Sequence, residues 1–295
     1  MNHQSRPVVS TMPELSDDQF GRWQALLEER TGMCMPVQRR TFLQTSLGIR
    51  MREIECSNYS EYYSKVVNGP TGAIEWNTLV DRLTVQETRF FRDPDAFEFV
   101  GNYIQTMATA LDDGQTLEMW SVGCSSGEEA YSLGMVADKY LSPVEHQYAV
   151  TGTDISTFAL RKARDARYPL SALGWIADDL RDQYCLRTDD GHMQVTDSVR
   201  QRCCFTQVNL LNLSAFPLQS QHVIYCQNVL IYFRRWRRRE ILNVLAERLV
   251  PGGILVIGLG EIVGWSNPLV DPVRGGKLTA FVRKQNDSNR ESKRR

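Results

Sequence analysis

The chain has 295 residues, 42% of them hydrophobic and 23% charged, with a formal net charge of -1. That length suits two folding units at about 100 to 200 residues each, and the near-neutral balance excludes a strongly basic nucleic-acid binder. The longest apolar run, "GGILVIGLG", is far too short to span a bilayer, and the first twenty residues lack the apolar core of a signal peptide, so a cytoplasmic protein is expected.

The first third reads as helices. Ser16 and Gln19 form a capping-box pattern ahead of Phe20, Trp23, Leu26 and Leu27, and Gly32 stands where that helix should stop. A second helix is expected from Pro36, carrying Arg39, Arg40, Arg50 and Arg52. Arg39 and Arg50 are eleven residues apart, about three turns, and so share a face. That face is either a solvated surface or a basic patch for an acidic partner. A third helix follows Ser57 and ends at "NGP" (68–70), and a fourth carries Trp76, Leu79, Val80 and Leu83 at helical spacing.

After "TVQETRFFRDP" strands and helices alternate. Pro94 starts a helix with Phe97, Val100, Ile104, Met107 and Leu111 inward, closed by "DDG". Strands are expected at "LEMWSVG", "QYAVTGTD", "CCFTQVN", "HVIYCQNV", "GGILVIGLG" and near "KLTAFVRK", with helices from Glu128 and through "FALRKARDA". Such alternation implies an α/β fold: a doubly wound, mainly parallel sheet covered by helices on both faces. Residues 168–202 interrupt it and are expected to form an inserted subdomain, while 285–295 should be a disordered basic tail. The domains are thus 13–84 and 85–284. The seven scattered cysteines include no C-x-x-C and the four histidines are isolated, so neither a disulfide framework nor a metal site is expected.

In an open parallel sheet, ligands bind beyond the carboxyl ends of the strands. The first strand runs into "GCSSGEE", where Gly123 and Gly127 allow close approach of strand and helix. The stretch is neither G-x-G-x-x-G nor a phosphate loop, and Glu128 and Glu129 occupy the helix start where a phosphate would sit. Those acids either complement the helix dipole or favour a cationic ligand. The second strand ends in Asp154, 27 residues after Gly127, where a carboxylate can hold a ribose or merely cap the next helix. The third ends at Asn209 and Leu210, an edge and a face for adenine. A nucleoside site without a phosphate site describes S-adenosylmethionine.

In "TVQETRFFRD", "SVGCSSGEEAYSLGM", "GTDIS", "VNLL" and "CQNVLIYF", in this order and spacing over residues 14–284, the chain resembles the chemotaxis receptor methyltransferases of the CheR type. The resemblance implies an all-helical N-terminal domain, an S-adenosylmethionine-dependent methyltransferase fold with a small β-subdomain, and methyl transfer to glutamate side chains on the cytoplasmic signalling domain of a methyl-accepting chemoreceptor. It also implies a monomer that neither inserts into membranes nor binds nucleic acid. By the same resemblance Gln86, Thr88 and Arg92 lie at the cofactor's methionine end and Glu129 meets its amino group. Gly123 lies in the cofactor loop, Asp154 holds the ribose, Asn209 and Leu210 contact the adenosine, and Asn228 lines the floor. Tyr232 and Gln227 face the methyl group and the incoming carboxylate, with Arg92 the nearest cation. Arg39, Arg40, Arg50 and Arg52 approach the acidic receptor bundle.

Three positions depart from the family's pattern. It typically has arginine where Gln227 stands, and a neutral amide replaces a charged fork there. It usually has asparagine at Gln86 and serine at Gly260 within "GLGE" (258–261). The glutamine at 227 points to the branch serving pilus-linked chemosensory systems (PilK-like). It also leaves open an alternative, a catalytically weakened S-adenosylmethionine-binding regulatory or interaction protein. Amide-directed nucleic-acid methyltransferases carry an Asn/Asp-Pro-Pro-aromatic loop after the fourth strand, and "QNVLIYF" has no proline. The run "RRWRRRE" (234–240) is either a solvated face or an aid to steering towards an acidic partner.

Overall fold

The computed structural model describes residues 14–217, 220–274 and 277–285; the basic tail expected at 285–295 lies, but for its first residue, outside them. Two compact units divide at Leu83/Thr84, the second also taking in Thr31–Met33.

The first unit is helical: α1 (Asp17–Thr31), α2 (Arg40–Glu53), α3 (Tyr59–Asn68) and α4 (Gly72–Leu83). The capping box forms reciprocally, Ser16 N–H donating to Gln19 Oε1 at 3.0 Å and Gln19 N–H to Ser16 Oγ at 3.2 Å. Pro36 does not begin α2. It precedes a single 3-10 turn, Val37–Arg39, and the α-helix follows at Arg40. α3 follows Ser57 as expected, and Asn58 caps it by accepting from Glu61 N–H. Trp23, Leu27, Leu43, Leu47, Tyr62 and Leu79 build one apolar core here.

The second unit opens with α5 (Pro94–Met107), β1 (Thr116–Val122), α6 (Glu128–Leu141), β2 (Gln147–Asp154) and α7 (Thr157–Asp165). The insertion follows as β3 (Arg167–Pro169), α8 (Asp178–Tyr184), β4 (Cys185–Arg187), β5 (His192–Val195) and α9 (Asp197–Arg200), whose strands form an antiparallel three-stranded sheet in the order β3-β5-β4. Then come β6 (Cys203–Gln207), β7 (Gln221–Cys226), α10 (Arg235–Arg248), β8 (Leu249–Ile257), β9 (Val270–Pro272) and β10 (Thr279–Arg283). The main sheet runs β6-β2-β1-β7-β8-β10-β9, parallel through β8 and antiparallel beyond it. The strand order thus reverses between β1 and β7, the position at which such sheets bind ligands.

The two-residue period of the strands divides the core into layers. Leu117 and Met119 of β1, with Val223 and Tyr225 of β7, pack on α5 and α6. Trp120 and Val122, with Ile224 and Cys226, pack on the opposite face against Ile241, Leu242 and Leu245 of α10. The register pairs Val122 with Thr153 and Ser121 with Tyr225. It therefore brings Gly123, Asp154 and Gln227 out along one edge, where helices cover both faces.

Candidate active site

At the β1 edge Gly123 takes φ +74°. A Cβ there would lie 2.3 Å from Val229 Cγ2, so only glycine lets the loop after β1 press against the segment after β7. Three non-glycine residues with positive φ surround the same edge: Phe91 at 48°, Ser125 at 49° and Asn228 at 61°. Asparagine adopts this region readily, whereas a phenylalanine there is a true outlier. It is held by its own N–H, which donates to Ser132 Oγ at 3.1 Å. Strain of this kind, fixed by surrounding contacts, clusters at functional sites.

Asp154 ties two loops together. Its Oδ2 accepts Ser125 N–H at 2.9 Å and its Oδ1 accepts Ser156 N–H at 2.8 Å. A carboxylate at this place can accept hydroxyl donors as well as backbone N–H groups. The helix that follows is capped by Ser156, not by Asp154. Gln86, expected at the methionine end, bonds Ser156 Oγ at 3.4 Å and so stands on the Asp154 side. Asn209 spends its Oδ1 on Leu211 N–H at 3.0 Å, capping the turn Leu210–Ala215.

The carboxyl of Glu129 accepts from Ser121 Oγ at 2.7 Å. Burial pushes it up to about 8; Ser121 and the charge of Arg92 pull it down, and Glu261 and Asp154 push it further up. Glu128 turns away, held by Ser126 Oγ at 2.8 Å and raised by burial. Arg92 donates to Glu87 O at 2.8 Å.

The segment after β7 differs from expectation. Gln227 is buried, and its Nε2 donates to Asp93 Oδ2 at 2.9 Å while Asp93 Oδ1 caps α5 through Ala96 N–H. The amide expected to meet an incoming carboxylate is thus engaged by one already present. Leu230–Tyr232 forms a short helical turn, in which Tyr232 is partly exposed. Glu261, which sequence reasoning passed over while weighing its neighbour Gly260, holds this turn from below. Only 2% exposed, it accepts Leu230 N–H at 2.7 Å and the N–H of Asn228. Burial raises its carboxyl, and the N–H groups of residues 228 to 231 oppose that shift. The usable signal is its place just beyond the end of β8, within "GLGE", where a carboxylate follows a parallel-strand end.

The four arginines expected to meet a receptor belong to the first unit. Arg50 is turned inward, its Nε 2.6 Å and one terminal nitrogen 2.7 Å from the two oxygens of buried Glu75, whose Oε1 also accepts from Tyr62 OH at 2.8 Å. A fork on a buried carboxylate is a packing element, so Arg50 leaves the candidate receptor face. Arg40 bonds Asp17 and Leu15 O, Arg52 donates to Gly48 O, and Arg39 stacks on Phe42 at 4.4 Å.

The acids Glu129, Asp154, Glu261 and Asp93 against Arg92 suit a ligand with cationic groups and ribose hydroxyls. Comparison with known proteins agrees. The family model "CheR methyltransferase, SAM binding domain" matches residues 86–275, and "CheR methyltransferase, all-alpha domain" matches 18–84. A chemotaxis protein methyltransferase of Vibrio cholerae is 28% identical over 271 residues, covering 91% of this chain and 94% of its own. One of Pseudomonas aeruginosa is 29% identical, covering 82% and 89%. Among solved structures, magnesium protoporphyrin IX methyltransferase of Synechocystis is 14% identical with a TM-score of 0.36, over 81% of this chain and 97% of that one.

Proposed function

The chain belongs to the CheR methyltransferase family, and from that premise we propose that it esterifies glutamate side chains in the cytoplasmic signalling domain of a chemotaxis receptor. It is an S-adenosylmethionine-dependent methyltransferase of chemotaxis. The observation that supports the substrate reading is that Asp154 and Glu129 lie by the ends of β1 and β2, with the charge of Arg92 acting on Glu129, while Asn228 and partly exposed Tyr232 follow β7. Among the described residues no helix is long and apolar enough to cross a membrane, and we read the protein as a cytoplasmic monomer.

S-adenosylmethionine supplies a methyl group on a sulfonium, ready for transfer to a nucleophile. A glutamate with pKa near about 4.3 is already ionised at neutral pH, so the chain need not provide a general base. Its residues bind, orient and exclude water. Asp154 would hold the ribose hydroxyls, Glu129 the ammonium, and Asn209 and Leu210 the adenine. Arg92 and Tyr232 align the acceptor carboxylate for in-line attack, a task of positioning. Attack joins an anion to a cation, and dispersal of both charges is favoured in a dry site.

With Glu129 raised to about 8, the free protein holds that carboxyl mostly protonated at neutral pH. A bound ammonium favours the ionised form, so cofactor binding near neutrality releases up to about one proton, and affinity rises with pH up to about 8. The free protein shows the opposite slope: an unfolded glutamate titrates near about 4.3, so stability contributed here falls as pH climbs from there towards 8. Calorimetry in two buffers of different ionisation enthalpy measures the proton count. Release that persists unchanged in Glu129→Gln would assign the proton elsewhere.

Gln227→Arg is expected to pair with Asp93 and add a positive charge at the acceptor side. Cofactor affinity should stay within about twofold and the receptor KM should fall about three- to tenfold, the gain of a charge-assisted partner. An unchanged KM removes position 227 from substrate binding.

The substrate reading is tested by transfer of labelled methyl from S-adenosylmethionine to a receptor cytoplasmic fragment, followed by release as methanol in mild base. Cofactor binding with no base-labile label favours the alternative of a non-enzymatic binding protein, for which the engaged amide of Gln227 is the motivating observation.

A further inference from the structure

The arginines at the start of α10 are badly placed for helix stability. Its first turn holds Arg235, Arg237 and Arg238, no acid and no side-chain cap, although cations at a helix N-terminus oppose the dipole. Five arginines against one glutamate in 234–240 concentrate positive charge on a chain whose net charge is -1. A local choice that conflicts with the fold calls for a functional reason.

Two of these arginines lace neighbouring segments together. Arg238 donates to Phe233 O at 2.8 Å, Glu261 O at 2.7 Å and Ile231 O at 3.2 Å, and Arg239 donates to Gly264 O at 3.2 Å. The laced segments are the turn bearing Asn228 and Tyr232, and the loop bearing Glu261. They also carry large apolar side chains in the open: Ile231 is 49% exposed, Trp236 51%, Leu259 72% and Val263 64%. Arg237 stacks on Trp236 at 4.3 Å, and Arg235 is exposed. Arg237 also pairs with Glu240 at 2.6 Å, which leaves Arg235 as the exposed cation beside Trp236. Exposed apolar side chains on segments tied together by Arg238, with basic residues among them and next to the turn after β7, have the composition of an interaction surface.

We propose that the start of α10, with Ile231, Leu259 and Val263, is a docking surface for an acidic amphipathic helical segment of the protein substrate, the segment that carries the reacting carboxylate. The proposal rests on the receptor reading above. Charge complementarity selects an acidic partner, and the lacing selects the substrate: whatever sits on this surface sits over the turn holding Asn228 and Tyr232. An anionic lipid surface matches the charge but would cover the edge through which a glutamate must enter.

The test uses the full chain and the variants Arg235→Glu and Trp236→Ala, alone and combined, neither residue being part of the methyl-transfer site. Binding of a cytoplasmic receptor fragment is measured by fluorescence anisotropy in the presence of S-adenosylhomocysteine, alongside methylation kinetics at low and near-physiological salt. The double variant is expected to bind the fragment about tenfold more weakly and raise its KM to match, with kcat and cofactor affinity unchanged, and Arg235→Glu should flatten the salt dependence. Equal fragment affinity in wild type and double variant overturns the proposal. So does loss of binding to vesicles of anionic phospholipid with fragment affinity intact, which would assign the surface to a membrane. Wild type that binds the fragment through this surface but leaves it unmethylated supports the docking and overturns the esterification reading instead.

Discussion

Asp154→Ala is expected to weaken S-adenosylmethionine binding by about 100-fold or more. Hydrogen bonds to a charged acceptor contribute about 1.5–3 kcal/mol each, and about 1.4 kcal/mol is a factor of ten. On the proposed ribose role the substitution removes the acceptor for two hydroxyls, and it also frees Ser125 N–H and Ser156 N–H, which the carboxylate now holds at 2.9 and 2.8 Å. Both loops bordering the ligand therefore loosen together. Asp154→Asn keeps one acceptor and should lose less, about tenfold, by the same arithmetic. Titration calorimetry reads both variants; a loss below about threefold in the alanine variant would exclude Asp154 as the ribose ligand.

The second large effect belongs to Glu261. Its two oxygens accept the N–H groups of Asn228 and Leu230, 33 and 31 residues away, and it fixes the left-handed conformation of Asn228 at φ 61°. In Glu261→Ala buried donors lose their acceptor at about 1–3 kcal/mol each, so the turn relaxes. Catalysis by positioning is sensitive to displacements of about 1 Å, and kcat is expected to fall about 100-fold with cofactor affinity changed only a few-fold. Glu261→Gln retains one acceptor and should lie between. A purely structural role is separated by proton release: Glu261 helps to raise Glu129, so Glu261→Gln should also diminish proton release on cofactor binding at neutral pH. Wild-type kcat in a folded Glu261→Ala variant would show that the turn needs no such support.

The basic second helix illustrates what a face-sharing argument can and cannot give. Arg39 and Arg50 do share a helical spacing, but half-buried Arg50 finds Glu75, 25 positions away, and that carboxylate is buried. Spacing assigns a face; only the neighbouring helix decides whether that face meets protein or solvent. Residue 227 is a second instance. Its type was visible as a neutral amide, yet its partner Asp93 lies 134 residues earlier in the chain.

Local signals in the sequence give most helices and the long strands of the main sheet in their order, whereas the insertion with β3, α8, β4, β5 and α9 was legible only as an interruption. Apolar period, capping residues and glycines act within a few positions, which is why the capping box at Ser16, the helix start at Glu128 and the strand ends at Gly123 and Asp154 were all legible. The short strand β9 carries too few residues for a period to register. The tertiary structure alone decided which polar groups are already engaged. Gln227 is tied to Asp93, Arg50 to Glu75, Glu261 to the turn after β7, and Arg238 to three carbonyls of two loops. These bonds join residues far apart in the chain, and a buried hydrogen-bonding group takes whichever partner the packing brings to it.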